Sequence, residues 1–148
     1  ECLRPMVEID LKLLRLLQQN SRTPVKTLAG EVNLSSPAVS ARIDRLEKQG
    51  VIRGYTLDID PLQLGHHILA YIRLDMQPSQ KQEFYPFIAA CPNVLECSCV
   101  TGSYSMLIKV SHPSTQELDA FIGRLQQFGK TETQIVFSSP VPPRAPLV

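Results

Sequence analysis

Residues 24–50, PVKTLAGEVNLSSPAVSARIDRLEKQG, restrict the fold most, because they read as two short helices joined by a tight turn. Thr23 offers an N-cap hydroxyl, and Pro24 falls in a first turn, where a missing N–H leaves nothing unpaired. Val25, Leu28, Ala29 and Val32 recur at helical spacing on one face. Asn33 suits the left-handed conformation that ends a helix, and Leu34 returns to the core. Ser35 or Ser36 caps the second helix, Pro37 lies in its first turn, and Gly50 closes it. On that helix Val39, Ile43 and Leu46 make a single apolar stripe, which is the helix-turn-helix pattern.

The rest of the second helix carries the candidate chemistry. Ser36, Pro37, Ala38, Ser40 and Ala41 fill its first turns with small side chains, which allow close approach to the floor of a DNA major groove. Arg42 and Arg45 follow, able to reach base edges or phosphates, with Lys48 beyond. An ordinary helical hairpin with a solvated outer face is the competing reading. Arg42 has a second option, pairing with Glu47 or with an acid used in domain packing. Asp44 repels phosphate and is expected to face a base edge or solvent.

Charge does not decide between these readings. The chain of 148 residues has a formal net charge of +1, and residues 1–60 carry nine Lys or Arg against eight Asp or Glu. DNA binding would have to come from local clustering and from two or more copies acting together. A chain 43% hydrophobic and 20% charged has the composition of a globular protein, and no apolar run nears the roughly 18 residues of a membrane span. The first ten residues lack the apolar core of a secretory signal, so a cytoplasmic protein with reduced thiols is expected.

Taken in order, residues 8–20 form an amphipathic helix with Ile9, Leu13, Leu16 and Leu17 on one face. It supplies the third wall of a trihelical DNA-binding domain spanning residues 1–50. Residues 51–65 read as a structured, strand-like connector that packs against something, a second subunit being the natural partner. The period then changes to two: Ile68, Ala70, Ile72, Leu74 and Met76 alternate with polar or half-buried positions, a strand. A helix is expected over residues 79–91, with Pro86 kinking it or delaying its start to near Tyr85. Strands over 94–101 and 104–110 flank Gly102-Ser103, a helix capped by Ser114 runs to Gly129, and a last strand covers 131–138. The β-α-β-β-α-β order of residues 66–138 is ferredoxin-like, making the whole an α+β protein. Residues 139–148 form a proline-rich tail, extended or disordered.

This arrangement resembles the Lrp/AsnC (feast/famine) transcriptional regulators over residues 8–138. The most specific matches are Ile9-Asp10 with Leu14, Leu17, Asn20 and Arg22; Leu34-Ser35 with Val39, Arg42-Ile43, Arg45-Leu46-Glu47 and Gly50-Val51-Ile52; Gly54-Tyr55; and Val100-Thr101-Gly102 with Tyr104. The resemblance implies a sequence-specific DNA-binding regulator that forms homodimers and often tetramers or octamers. It implies a C-terminal domain that assembles the oligomer and senses a small molecule, usually an amino acid, and it favours Arg45 over Arg42 as a DNA contact. The effector region maps to Thr101, Gly102, Ser103, Tyr104 and Ser105. The family commonly has two acids in this hairpin, where this chain has Ser103 and Ser105. Either the effector is not a standard amino acid, or another residue supplies the charge, or the hairpin is a plain subunit contact.

Other classes find less support in the residues. His66 and His67 point to opposite faces of a strand and cannot share a metal, and Cys97-x-Cys99 is not a zinc or thioredoxin spacing. No nucleophile–base pair, phosphate loop or carboxylate dyad is present, so neither catalysis nor a cofactor or metal is expected. A sensing or assembly module without specific DNA binding would account for residues 66–138 but leaves the helix-turn-helix unexplained.

Overall fold

A computed structural model describes residues 6–148, so Cys2, one of the four cysteines, lies outside the described residues. The chain divides into two compact units, one comprising residues up to Leu57 together with Pro143–Val148, the other Asp58–Pro142.

The first unit contains helices α1 (Glu8–Gln19), α2 (Val25–Val32) and α3 (Ser36–Lys48). Leu13, Leu28, Ala29, Val32 and Val39 form its core, with Ile9, Leu16, Leu17, Val25, Leu34 and Ile43 packed around them. The expected cap at Thr23 is not used: Pro24 holds the N-cap position of α2, and the Thr23 hydroxyl donates back to the Asn20 carbonyl, 2.6 Å away. The preceding turn thus takes the hydroxyl before the helix can. Asn33 adopts the left-handed conformation at φ +55°, which lets the Leu34 N–H reach the Ala29 carbonyl. Of the two candidate caps for α3, Ser35 serves, its Oγ accepting from the Ala38 N–H at 3.3 Å.

Residues 51–60 pair with no strand of their own chain, which leaves a second subunit as the partner that the sequence reading expects. Val51 and Ile52 turn their N–H groups back to the Leu46 carbonyl, and Tyr55, Leu57 and Ile59 are exposed. Their β-branched and aromatic side chains suit a strand that is paired by a partner outside this segment. Only a 3-10 turn, Pro61–Leu64, follows. The tail from residue 139 has no regular structure, yet it is not free. Gln18 donates to the Pro146 carbonyl and accepts from the Val148 N–H, and Arg15 donates to the Val148 carbonyl.

The second unit contains β1 (Ile68–Met76), α4 (Lys81–Ala89), β2 (Val94–Cys99), β3 (Met106–His112), α5 (Thr115–Leu125) and β4 (Gly129–Ile135). The strands form one antiparallel sheet in the order β2-β3-β1-β4, the ferredoxin-like topology. One face carries the core: Ala70, Ile72, Leu74, Met76, Met106, Ile108 and Val110 pack against Phe84 and Ile88 of α4 and Leu118, Phe121 and Leu125 of α5. Pro86 neither stops α4 nor delays it to Tyr85. The helix starts at Lys81 and carries Pro86 on its exposed side, because burying Phe84 and Ile88 outweighs one absent hydrogen bond in so short a helix. The α5 cap is as read, with the Glu117 N–H donating to Ser114 Oγ at 3.2 Å. β2 stops two residues earlier than expected and β3 is displaced two residues toward the C-terminus, which leaves Val100–Ser105 as a loop, closed by Val100 N–H to the Ser105 carbonyl at 2.8 Å.

Candidate functional site

Two places carry the residues singled out in the sequence, one in each unit. On α3 the helical periodicity divides the side chains into clear faces. Val39 and Leu46 are buried and Ile43 is half-buried. Pro37, Ala41, Asp44 and Lys48, spaced by three or four residues, are exposed and share the outward stripe. Ser36, Ala38 and Ser40 are half-buried along its flanks. Ala41 is the smallest side chain of that stripe.

The two arginines are not free-standing. Arg42 Nη1 lies 3.0 Å from Asp10 Oδ1, and Arg45 Nη2 lies 2.7 Å from Asp10 Oδ2. Asp10, at the start of α1, is only 4% exposed. The alternative pairing of Arg42 with Glu47 is not made; Glu47 instead accepts a hydrogen bond from the Tyr55 hydroxyl at 2.9 Å. Partial burial, that hydrogen bond, and the charges of Glu47 and Asp44 together raise the Tyr55 pKa. The packing acid that the sequence left unnamed for Arg42 is Asp10, and it holds Arg45 as well. Asp10 carried little signal of its own, since its partners lie 32 and 35 residues away in sequence.

The second place is the β2–β3 loop. Thr101, Gly102 and Ser103 are exposed, and Gly102 has φ +106°, a conformation that favours glycine. Tyr104 turns onto the helix-free face of the sheet, where the Arg73 guanidinium lies 4.9 Å from its ring centroid. Arg73 also pairs with Glu132 across the β1–β4 register. Hydrogen bonds from Arg73 and Tyr104 hold the Glu132 carboxyl below its ordinary pKa. Arg73 and Glu132 were missed in the sequence because only the register brings them beside the loop.

Ser105 departs from expectation. Its Oγ lies 3.2 Å from the Met76 N–H and 3.3 Å from the Leu74 and Met76 carbonyls, so it extends the β1–β3 contact instead of lining an open site. The structure therefore brings Tyr104 together with Arg73 and Glu132, leaves Thr101, Gly102 and Ser103 exposed in the same loop, and turns Ser105 away to the β1 main chain.

Cys91, Cys97, His66 and His112 sit in structural surroundings. Burial, with the neighbouring Cys99, pushes the Cys97 thiol up to about 11, which keeps it protonated and a poor nucleophile. Cys91 is buried and donates to the Phe87 carbonyl. His66 Nδ1 lies 2.8 Å from Ser111 Oγ, and His112 is buried against Phe121. Among the described residues no group of three or more His, Cys, Asp or Glu could hold a metal ion, and no helix is long and apolar enough to cross a membrane.

A trihelical helix-turn-helix unit joined to a ferredoxin-like unit defines the class of two-domain DNA-binding regulators. Residues 6–53 match the winged helix-turn-helix DNA-binding family, and residues 69–146 match the Lrp/AsnC ligand binding domain. The HTH-type transcriptional regulator LrpA of Bacillus subtilis is 31% identical over 130 residues, covering 87% of this chain and 96% of LrpA. The solved structure of LrpC from the same organism superposes with a TM-score of 0.85 at 26% identity, covering 92% of this chain and 97% of LrpC. The feast or famine regulatory protein Rv3291c of M. tuberculosis, complexed with L-methionine, gives 0.87 at 27% identity, covering 97% of this chain and all of that one (100%). The chain belongs to the Lrp/AsnC family of transcriptional regulators. It is a DNA-binding transcriptional regulator and not an enzyme.

Proposed function

We propose that α3 is the helix that enters the major groove, that Ser36, Pro37, Ala38, Ser40 and Ala41 bring it close to the bases, and that Arg45 is its principal cationic contact. The observation that carries this reading is the outward stripe of α3, smallest at Ala41 and flanked by an arginine that still exposes 49% of its side chain. Arg42, at 27%, is the inner anchor of the same ion pair and contributes less to DNA. Domains divide the work: residues 1–50 bind DNA, the connector 51–65 leads to the sensing and assembly domain 66–138, and the tail 139–148 returns to α1. The helix-free face of the sheet joins protomers into dimers, from which tetramers or octamers build. A protein doing this work resides in the cytoplasm.

The loop Thr101–Tyr104 binds the carboxylate end of an amino-acid-like effector, through N–H groups that Gly102 allows to come close. Glu132 supplies the negative charge absent from Ser103 and Ser105. The L-methionine carried by the M. tuberculosis relative supports an amino acid as the ligand class.

The test is Ala41→Glu. Ala41 is exposed, so the change leaves the fold intact, but it places a carboxylate and added bulk where the groove floor must come. Operator fragments selected from a genomic library with the wild-type protein should no longer shift with this variant. Undiminished binding by a folded A41E would show that another surface meets DNA.

A further inference from the structure

Asp10 has a role in DNA recognition that goes beyond closing the core, an inference that rests on α3 being the DNA-contacting helix. Each of its carboxylate oxygens is taken by a different guanidinium, Oδ1 by Arg42 and Oδ2 by Arg45. A carboxylate 4% exposed needs one cation for charge balance. Arg42, the more buried partner, is enough for that. The second arginine leaves the triad with one surplus positive charge at the edge of the outward face of α3.

Arg45 is held through Nη2 alone, and roughly half of its side chain remains exposed. A guanidinium is a rigid planar fork with five N–H donors, so fixing one nitrogen sets the direction of the others. The rotamer freedom that an unrestrained surface arginine gives up on binding is here given up on folding. We propose that Asp10 is a positioning residue: it aims the unused N–H groups of Arg45 at the DNA and so contributes to discrimination between operator and random sequence, while its own charge weakens indiscriminate attraction to phosphate.

Asp10→Asn tests this with opposite signs on two measurements. An asparagine keeps its oxygen as acceptor for Arg42 and replaces the other oxygen by an NH2 group, a donor that cannot hold the Arg45 guanidinium. Operator affinity should fall at least about tenfold, the loss of one well-aimed bidentate contact. Affinity for random-sequence DNA should instead rise, and its salt dependence should steepen by about one unit per protomer, because the Arg45 guanidinium released from Asp10 is free to take a phosphate. Arg45→Lys, which keeps the charge and leaves Asp10 paired with Arg42, should lose operator affinity similarly with little change on random DNA. It also guards against a D10N variant that fails to fold. In an Arg45→Ala background, D10N should cost no further operator affinity, since Asp10 acts through Arg45. Three results would overturn the proposal: operator and random-DNA affinities falling by the same factor in D10N, R45K binding the operator as wild type does, or D10N costing as much with Arg45 removed. If α3 were not the DNA-contacting helix, A41E would bind normally, and that failure is separate from any of these.

Discussion

Gly129, the first residue of β4, stands opposite Met76 in the β1–β4 register. A Cβ there would lie 1.8 Å from the Asp75 carbonyl oxygen and 2.9 Å from its carbon, both backbone atoms that cannot swing aside. Gly129→Ala therefore forces the start of β4 away from β1. Two ladder bonds near Met76 and Asp75 are lost, together about 2 kcal/mol. Phe128, 7% exposed and set edge-on to Phe84 at 5.3 Å and tilted against Phe87 at 5.2 Å, is pulled with it. Partial exposure of that ring adds about 1 kcal/mol. The expected loss is about 3 kcal/mol, a large share of the ~5–15 kcal/mol typical of a domain. Because the chain has no Trp, urea unfolding is followed by far-UV circular dichroism, with amide exchange of β1 and β4 assigning the loss to the second unit. Gly123, inside α5 with nothing within 4 Å of its would-be Cβ, is the control. Gly123→Ala should stabilise by about 0.5–1 kcal/mol. A G129A variant within 1 kcal/mol of wild type would refute the β1–β4 register, and with it the placement of Glu132 beside Arg73.

Burial of His112, opposed by Glu117 and aided by His66 and Arg124, lowers its pKa in the folded protein. The unfolded chain then binds the proton more readily, so stability should fall as pH drops through about 6.5, and His112→Phe should flatten that dependence in unfolding curves at several pH values. Ser105→Asp would set a carboxylate against the Leu74 and Met76 carbonyls, so it should destabilise the sheet by about 1–3 kcal/mol in the same assay and not strengthen amino-acid binding. Glu132→Gln should instead weaken binding of an amino acid about tenfold by calorimetry, the range of a lost charge-assisted hydrogen bond; equal heats would remove Glu132 from the site.

The helix-turn-helix was legible because its signals are local. Apolar spacing marked α2 and α3, and Asn33 marked the turn between them. The strand β1 was equally plain, since alternation from Ile68 to Met76 needs no knowledge of partners. What escaped was relational. Tyr55 to Ile59 have strand-forming side chains, but whether they form a strand depends on an edge that the chain does not offer them. Pro86 was weighed by its local cost, while the decisive term was the burial of Phe84 and Ile88 on the opposite side of the helix. Ser105 read as a short acid substitute, and only the β1–β3 register shows that its hydroxyl is committed to β1.

The same distinction governs the charges. A sequence count treats Asp10 as one acid cancelling one base, and finds a DNA-binding region of nearly zero net charge. In the fold the cancellation is not uniform: Asp10 is buried beneath Arg42, while Arg45 stays half exposed on the rim of α3. Buried acids contribute less to the field at the groove than exposed bases do, because phosphate meets the outer charge at shorter range. A near-neutral unit can therefore present a positive edge without a basic composition. One such edge neutralises few phosphates at physiological salt, so useful affinity calls for two α3 helices acting together on one DNA, as the proposed dimer would supply. That requirement is a physical reason for the second unit to assemble copies of the chain, as proposed above.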